Sequence, residues 1–86
     1  MSYEVRLVRS AQKDIKSIDR QIALRIQKKI QFFLVSQDPL SFAEPLTKPS
    51  DAQYRWRVGN YRVLFDVDQA TIIILRVQHR REVYKK

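Results

Sequence analysis

Apolar and polar positions alternate from the start of the chain. Tyr3, Val5 and Leu7 fall on one parity and Glu4 and Arg6 on the other, a period of two that predicts a strand over residues 3–8. The period then lengthens. Ser10 can cap a helix starting at Ala11, with Ile15 and Ile18 as its apolar edge. Asp19 offers a second N-cap, after which Ile22, Ile26, Ile30, Phe33 and Leu34 recur at helical spacing. This second helix is predicted to end near Ser36, because Asp38-Pro39 disfavours its continuation. The two helices are expected to form a hairpin. Residues 39–53 contain all three prolines and read as a loop, tacked to the core by Phe42 and Leu46.

From Tyr54 the period returns to two. Residues 54–58, 61–67 and 71–77 are β-rich runs. Gly59-Asn60 suits a two-residue hairpin turn of type I′ or II′, and Asp68-Gln69-Ala70 would close a second hairpin as a three-residue loop. A charged tail runs over residues 79–86. The order β-α-α-β-β-β predicts one α+β domain over residues 1–86, with two N-terminal helices packed on a mainly antiparallel four-stranded sheet.

Register sorts the sheet into faces. Tyr54, Trp56, Val58, Tyr61, Val63, Phe65, Val67, Ile73, Leu75 and Val77 are expected toward the helices, which makes Trp56 a core residue. Arg55, Arg57, Arg62, Leu64, Asp66, Ile72, Ile74, Arg76, Gln78 and Arg80 are expected on the other face. In that register Arg57, Arg62 and Arg76 stand side by side on three strands. Like charges directly opposite one another oppose strand pairing; a bound anion removes the penalty, and the planar guanidinium suits phosphate. A solvated face with arginine stems over Ile72 and Ile74 accounts for one or two of these arginines better than for five. Arg20, Arg25, Lys28 and Lys29 lie largely off the helical stripe. They read first as solubilising charges and only second as auxiliary backbone contacts.

Charge sharpens the choice of partner. The 86 residues carry 17 Lys and Arg against 9 Asp and Glu, a net charge of +8, which biases the partner toward polyanions and, with the arginine face, toward RNA. The absence of cysteine excludes disulfides and thiolate metal sites. One histidine cannot form a zinc site alone, so no cofactor is expected. No apolar run reaches membrane-spanning length and residues 1–10 do not read as a signal peptide, so a cytoplasmic protein with no membrane partner is expected. One glycine and three prolines argue against a disordered chain.

The stretch YRWRVGNYRVLF over residues 54–65, followed by VQHRREVY over residues 77–84, resembles the RelE/ParE toxin superfamily. The resemblance covers the whole chain in element order, and the arginine and tyrosine of the HRREVY segment point to the RelE branch. It implies the toxin of a type II toxin–antitoxin pair, an endoribonuclease that cuts mRNA in the ribosomal A site and is held by a cognate antitoxin. By the same resemblance, Arg62 and Arg80 match the catalytic arginines and Tyr84 the C-terminal catalytic tyrosine. Arg55 and Arg57 fall where relatives carry two basic residues, often lysines.

These residues support a concrete chemistry. The sequence offers no acidic cluster of the kind that holds Mg²⁺, so a metal-independent cut is expected, leaving a 2′,3′-cyclic or 3′-phosphate end. Arg62 and Arg80 would stabilise the developing negative charge. Tyr84 is the expected base, since a cluster of arginines favours the phenolate; it could instead stack on a base. Arg55, Arg57, Arg76, Arg81 and His79 are the expected RNA contacts, with His79 ranked below Tyr84 as a proton carrier. Two other classes stay open: a ParE-like inhibitor of DNA gyrase that cuts nothing, and a non-catalytic nucleic-acid-binding module. Arg80 together with Tyr84 favours the ribonuclease.

Overall fold

A computed structural model describes residues 2–47 and 52–83. The chain runs through β1 (Glu4–Leu7), α1 (Arg9–Ser17), α2 (Arg20–Val35), a 3₁₀ turn (Pro39–Phe42), β2 (Glu44–Pro45), β3 (Tyr54–Val58), β4 (Tyr61–Asp68), β5 (Thr71–His79) and the single turn α3 (Arg80–Val83). The fold class is the predicted α+β arrangement. The sheet has five strands rather than four, in the order β1-β5-β4-β3-β2. Glu44–Pro45 pairs with Tyr54 and Arg55 inside the predicted loop; two residues are too short a run to show a period. β1 is parallel to β5, and every other pair is antiparallel.

α2 forms where its pattern places it. The Asp19 carboxylate accepts from the Gln21 N–H at 3.1 Å, the expected N-cap. Ala23, Ile26, Ile30 and Phe33 are its buried face. Across from them lie Trp56, Val63, Phe65, Ile72, Ile74 and Val77, all buried. Trp56 is fully enclosed, its ring centroid 4.2 Å from that of Phe65 and 4.9 Å from that of Phe33. Its indole N–H donates to the Pro39 carbonyl at 3.1 Å, so the 3₁₀ turn supplies the partner that a buried indole needs. Phe42 and Leu46, expected to tack this segment down, are not what packs it on the core: Phe42 meets the Phe33 ring at 5.0 Å but stays 45% exposed, and Pro39, Leu40 and Ala43 make the core contacts.

β3 and β4 pair as predicted. Val58 is opposite Tyr61 and Arg57 opposite Arg62. Gly59 takes φ +58 and Asn60 does not share the positive sign, the sign pattern of a II′ turn, where glycine carries no Cβ penalty. The second hairpin departs from expectation in two ways. Its loop is Gln69-Ala70 alone, with Asp68 paired to Thr71. Leu64 then pairs with Arg76 while Phe65 pairs with Ile74, leaving Leu75 as the extra residue of a β-bulge. These shifts invert the predicted faces of residues 72–74: Ile72 and Ile74 are fully buried, and Ile73 is only partly covered. They also place Gln78, not Arg76, opposite Arg62.

β1 covers β5 only as far as Ile74. Beyond it, α1 takes over the edge. The Val8 N–H donates to the Ile74 carbonyl, the Ser10 hydroxyl to the Leu75 carbonyl at 3.0 Å, and the Val77 N–H to Asp14 Oδ2 at 2.9 Å. Ser10 therefore does not cap α1, which starts at Arg9 after an uncapped Val8; its hydroxyl serves the strand edge instead. Asp14 also holds Arg76 through two hydrogen bonds, 2.8 Å to Nε and 3.2 Å to Nη2.

Asp14 thus satisfies one backbone donor and one guanidinium. Removing a charged partner from a largely buried donor costs about 1.5–3 kcal/mol, whereas a half-exposed ion pair contributes up to about 1 kcal/mol. Asp14→Ala should therefore lower the stability read from urea unfolding by about 2 kcal/mol, and Arg76→Ala by less than half of that. Equal losses would show that the ion pair, not the Val77 amide, is what Asp14 secures.

Candidate nucleic-acid interface

The face of the sheet turned away from α1 and α2 carries two cross-strand rows. One is Arg57, Arg62 and Gln78; the other is Arg55, Leu64 and Arg76. Arg57 and Arg62 are adjacent, as predicted. Arg76 is not in their row, and Asp14 draws its side chain to the edge of β5.

The two neighbouring arginines differ sharply. The Arg57 side chain is 60% exposed, with Nε 3.4 Å from Glu44 Oε1. Arg62 is only 6% exposed. Its Nη1 donates to the carbonyls of Gly59 at 3.1 Å and Tyr61 at 2.9 Å, so the guanidinium is drawn back onto the β3–β4 turn. Its Nε is buried and, among the described residues, has no hydrogen-bond partner. Leaving a buried donor unpaired costs roughly 1–3 kcal/mol, and native folds rarely tolerate this without a reason.

Glu44 is the acid of this face. Its Oε1 lies 3.0 Å from Arg55 Nε and 3.4 Å from Arg57 Nε. The hydrogen bond from Arg55, with the charges of Arg55, Arg57 and Arg62, holds its carboxyl below the usual carboxylate range against an opposing desolvation effect. Glu44 went unseen in the sequence because residues 39–53 read as loop. Its placement follows from β2, which sets Glu44 opposite Arg55.

The end of β5 brings more groups to the same turn. The Arg80 N–H donates to the Asn60 carbonyl at 2.7 Å, pinning the first residue of α3 to the β3–β4 turn. His79 lies opposite Tyr61, its ring edge-on at 5.3 Å. Its Nδ1 accepts from the Arg81 N–H at 3.2 Å, and its own N–H donates to Glu82 Oε1 at 3.3 Å. With Nδ1 occupied as an acceptor, Nε2 is the nitrogen left to carry the proton of the neutral ring. Arg80 and Arg81 are exposed. Tyr84 lies outside the described residues.

Thus Arg57 and Arg62 stand side by side at the turn of residues 59–60, to which the Arg80 backbone is pinned, whereas His79 lies beside Tyr61 on the opposite parity of the sheet. Arg55 sits one row away, bonded to Glu44, and Arg76 is occupied at the opposite edge. Among the described residues no group of three His, Asp or Glu could hold a metal ion. No helix is long and apolar enough to cross a membrane.

Known proteins resemble this chain in sequence and in fold. Residues 5–84 match the family described as the ParE toxin of type II toxin–antitoxin system, parDE. The chain is 31% identical over 88 residues to Toxin RelG of Mycobacterium tuberculosis, with 100% of both chains covered. Its fold is similar to the toxin–antitoxin complex RelBE2 of the same organism, with TM-score 0.77 and 30% identity over 93% of this chain and 100% of that one. It is also similar to the archaeal RelE–RelB complex of Pyrococcus horikoshii, with TM-score 0.71 and 26% identity over 93% and 97% of the two chains.

The position of Glu44 has a pH signature. A carboxyl held below its unfolded value contributes stability above the ordinary carboxylate range, and that contribution is lost as pH falls through the lowered value. Wild type should therefore exceed Glu44→Gln in urea midpoint at neutral pH, and the gap should close on acidification. A gap that is constant with pH would show that the carboxylate charge is not what ties β2 to β3.

Proposed function

Since the chain belongs to the RelE/ParE superfamily of type II toxin–antitoxin toxins, we propose that it is a metal-independent endoribonuclease that cuts mRNA in the ribosomal A site and so inhibits translation. The observation that carries this reading is Arg62. A buried guanidinium with an unpaired Nε–H stands beside an exposed arginine, at the turn to which Arg80 is pinned. Once Arg62 leaves the turn carbonyls, a phosphate oxygen is the acceptor such a group lacks, and arginines gathered at one turn stabilise the charge that develops on a pentacoordinate phosphorus.

In this mechanism the RNA 2′-hydroxyl attacks the adjacent phosphorus while its proton passes to Tyr84. The bond from phosphorus to the 5′-oxygen breaks, and that oxygen takes a proton from solvent as it leaves. The products are a 2′,3′-cyclic phosphate and a 5′-hydroxyl. Arg62 and Arg80 bear on the phosphorane oxygens. Arg57 and Arg81 hold the flanking backbone, and Arg55, tied to Glu44, supports it from the next row. His79, whose Nδ1 already accepts from the Arg81 N–H, binds RNA in this reading rather than accepting a proton. Arg76 is the weakest of the proposed RNA contacts, because Asp14 already engages it.

A cognate antitoxin completes the system. The structural relatives are toxin–antitoxin complexes, and a chain of net charge +8 attracts acidic segments. A second reading, inhibition of DNA gyrase without RNA cleavage, draws on the ParE description of the matching family.

Arg80→Ala should lower cleavage of translated mRNA by about 10²–10³-fold and relieve growth inhibition, with an unchanged circular dichroism spectrum. Tyr84→Phe should do the same, and chelators should leave wild-type cleavage intact. Toxicity retained in both variants would overturn the catalytic assignment. Purified protein that blocks gyrase supercoiling and leaves mRNA whole would establish the second reading.

A further inference from the structure

The cations of α2 are not spread evenly over a solvated face. Arg25, Lys28 and Lys29 converge on a shallow, open cleft of about 380 Å³ between α2 and the end of β3, bordered also by Phe32, Arg57 and the start of the β3–β4 turn. Among the described residues, neither Arg25 nor either lysine forms an ion pair. Their spacing of three and four residues makes them neighbours on the helix, where like charges oppose helix formation. Among the described residues, no acidic one lines the cleft.

Phe32 is equally unexplained by folding. It is 53% exposed, although α2 already buries Phe33. Edge contacts to Phe33 at 6.0 Å and Phe42 at 5.7 Å hold its ring in place, and Lys29 Nζ lies 4.9 Å from its centroid. A fixed, half-open aromatic ring among cations is the combination that binds single-stranded nucleic acid, with stacking for the base and ammonium groups for the phosphate. An acidic helix would need a row of apolar anchors, and the apolar lining here is only Phe32 and Val58. Arg57 belongs both to this cleft and to the site at the turn, so the two surfaces are continuous.

We propose that the cleft binds one nucleotide of single-stranded RNA flanking the reacting phosphate. Its phosphate rests on Lys28, Lys29 and Arg57, and its base lies against Phe32. The assignment rests on the ribonuclease reading for the identity of the strand, and its test does not require cleavage.

The probe is a short single-stranded RNA carrying 2-aminopurine. Its binding is followed by anisotropy over a salt series for wild type, the double variant Lys28→Gln/Lys29→Gln, and Phe32→Leu, with circular dichroism as the folding control. The double variant should reduce the slope of log affinity against log salt by about 0.7 for each phosphate that is no longer neutralised. Phe32→Leu should leave the slope unchanged, weaken binding roughly tenfold and abolish the quenching that stacking causes. Folded variants that bind the RNA like wild type would overturn the proposal. So would variants that keep RNA binding and lose binding to a polyglutamate peptide, since the occupant would then be an acidic protein segment. Cleavage of translated mRNA is measured in parallel. A wild type that cuts nothing, while slope and quenching respond as stated, keeps the nucleotide site and removes only the ribonuclease reading.

Discussion

Three side chains of β5 must be buried together, and strict alternation cannot bury them. Ile72, Ile74 and Val77 all contribute to the core, yet 74 and 77 differ in parity. The bulge at Leu75 resolves the conflict by inserting one residue against the step from Leu64 to Phe65. The rest of the interface depends on it. After the bulge, Val77 faces inward opposite Val63, Gln78 completes the row with Arg62 and Arg57, and the strand ends with His79 opposite Tyr61. A continuous ladder would place every residue from 76 onward on the wrong face or leave Ile72 and Ile74 in water.

This is also where the sequence stops being legible. The first hairpin could be read residue by residue, because Gly59-Asn60 marks its turn and the flanking runs alternate cleanly. The second could not. Ile72, Ile73, Ile74 and Leu75 are all apolar, so the pattern carries no parity, and nothing in Asp68-Gln69-Ala70 distinguishes a three-residue loop from a two-residue one. The two helices were clear from their spacing, and the Asp19 cap was clear from its position. The role of Ser10 was not, because its acceptor, the Leu75 carbonyl, is 65 positions away. Of the site, the juxtaposition of Arg57 and Arg62 was visible in advance. The burial of Arg62, the Glu44 clamp and the diversion of Arg76 to Asp14 were not, since each depends on a long-range partner.

The arginines of this face are consequently graded rather than equivalent. Arg76 is committed to holding α1 to β5. Arg55 and Arg57 share one carboxylate, which lies on a two-residue strand. Arg62 is bonded to the turn carbonyls with one donor unused. Arg80 is fixed through its backbone and exposed beyond it. An approaching polyanion therefore meets free charge at the turn and at α2 first, and meets internally compensated charge toward β2 and the far edge of β5. In the ribonuclease reading, such a gradient orients an RNA strand before any single contact forms.

Hairpin tips are ordinarily where a protein best tolerates added chain. Both tips of this sheet depart from that rule, because each turn is bonded to a segment outside its own hairpin. The turn at residues 59–60 offers one carbonyl to Arg62 and the next to the Arg80 amide, so its length is set by two anchors rather than by the strands alone. The turn at residues 69–70 carries a similar positive φ, +55, on Gln69, which strains a residue other than glycine. The Ala70 carbonyl beside it accepts from the Glu4 N–H at 2.9 Å, at the point where β1 begins to pair with β5. Inserting chain at either tip therefore disturbs more than a loop: one tip holds Arg62 and Arg80, and the other holds the parallel strand.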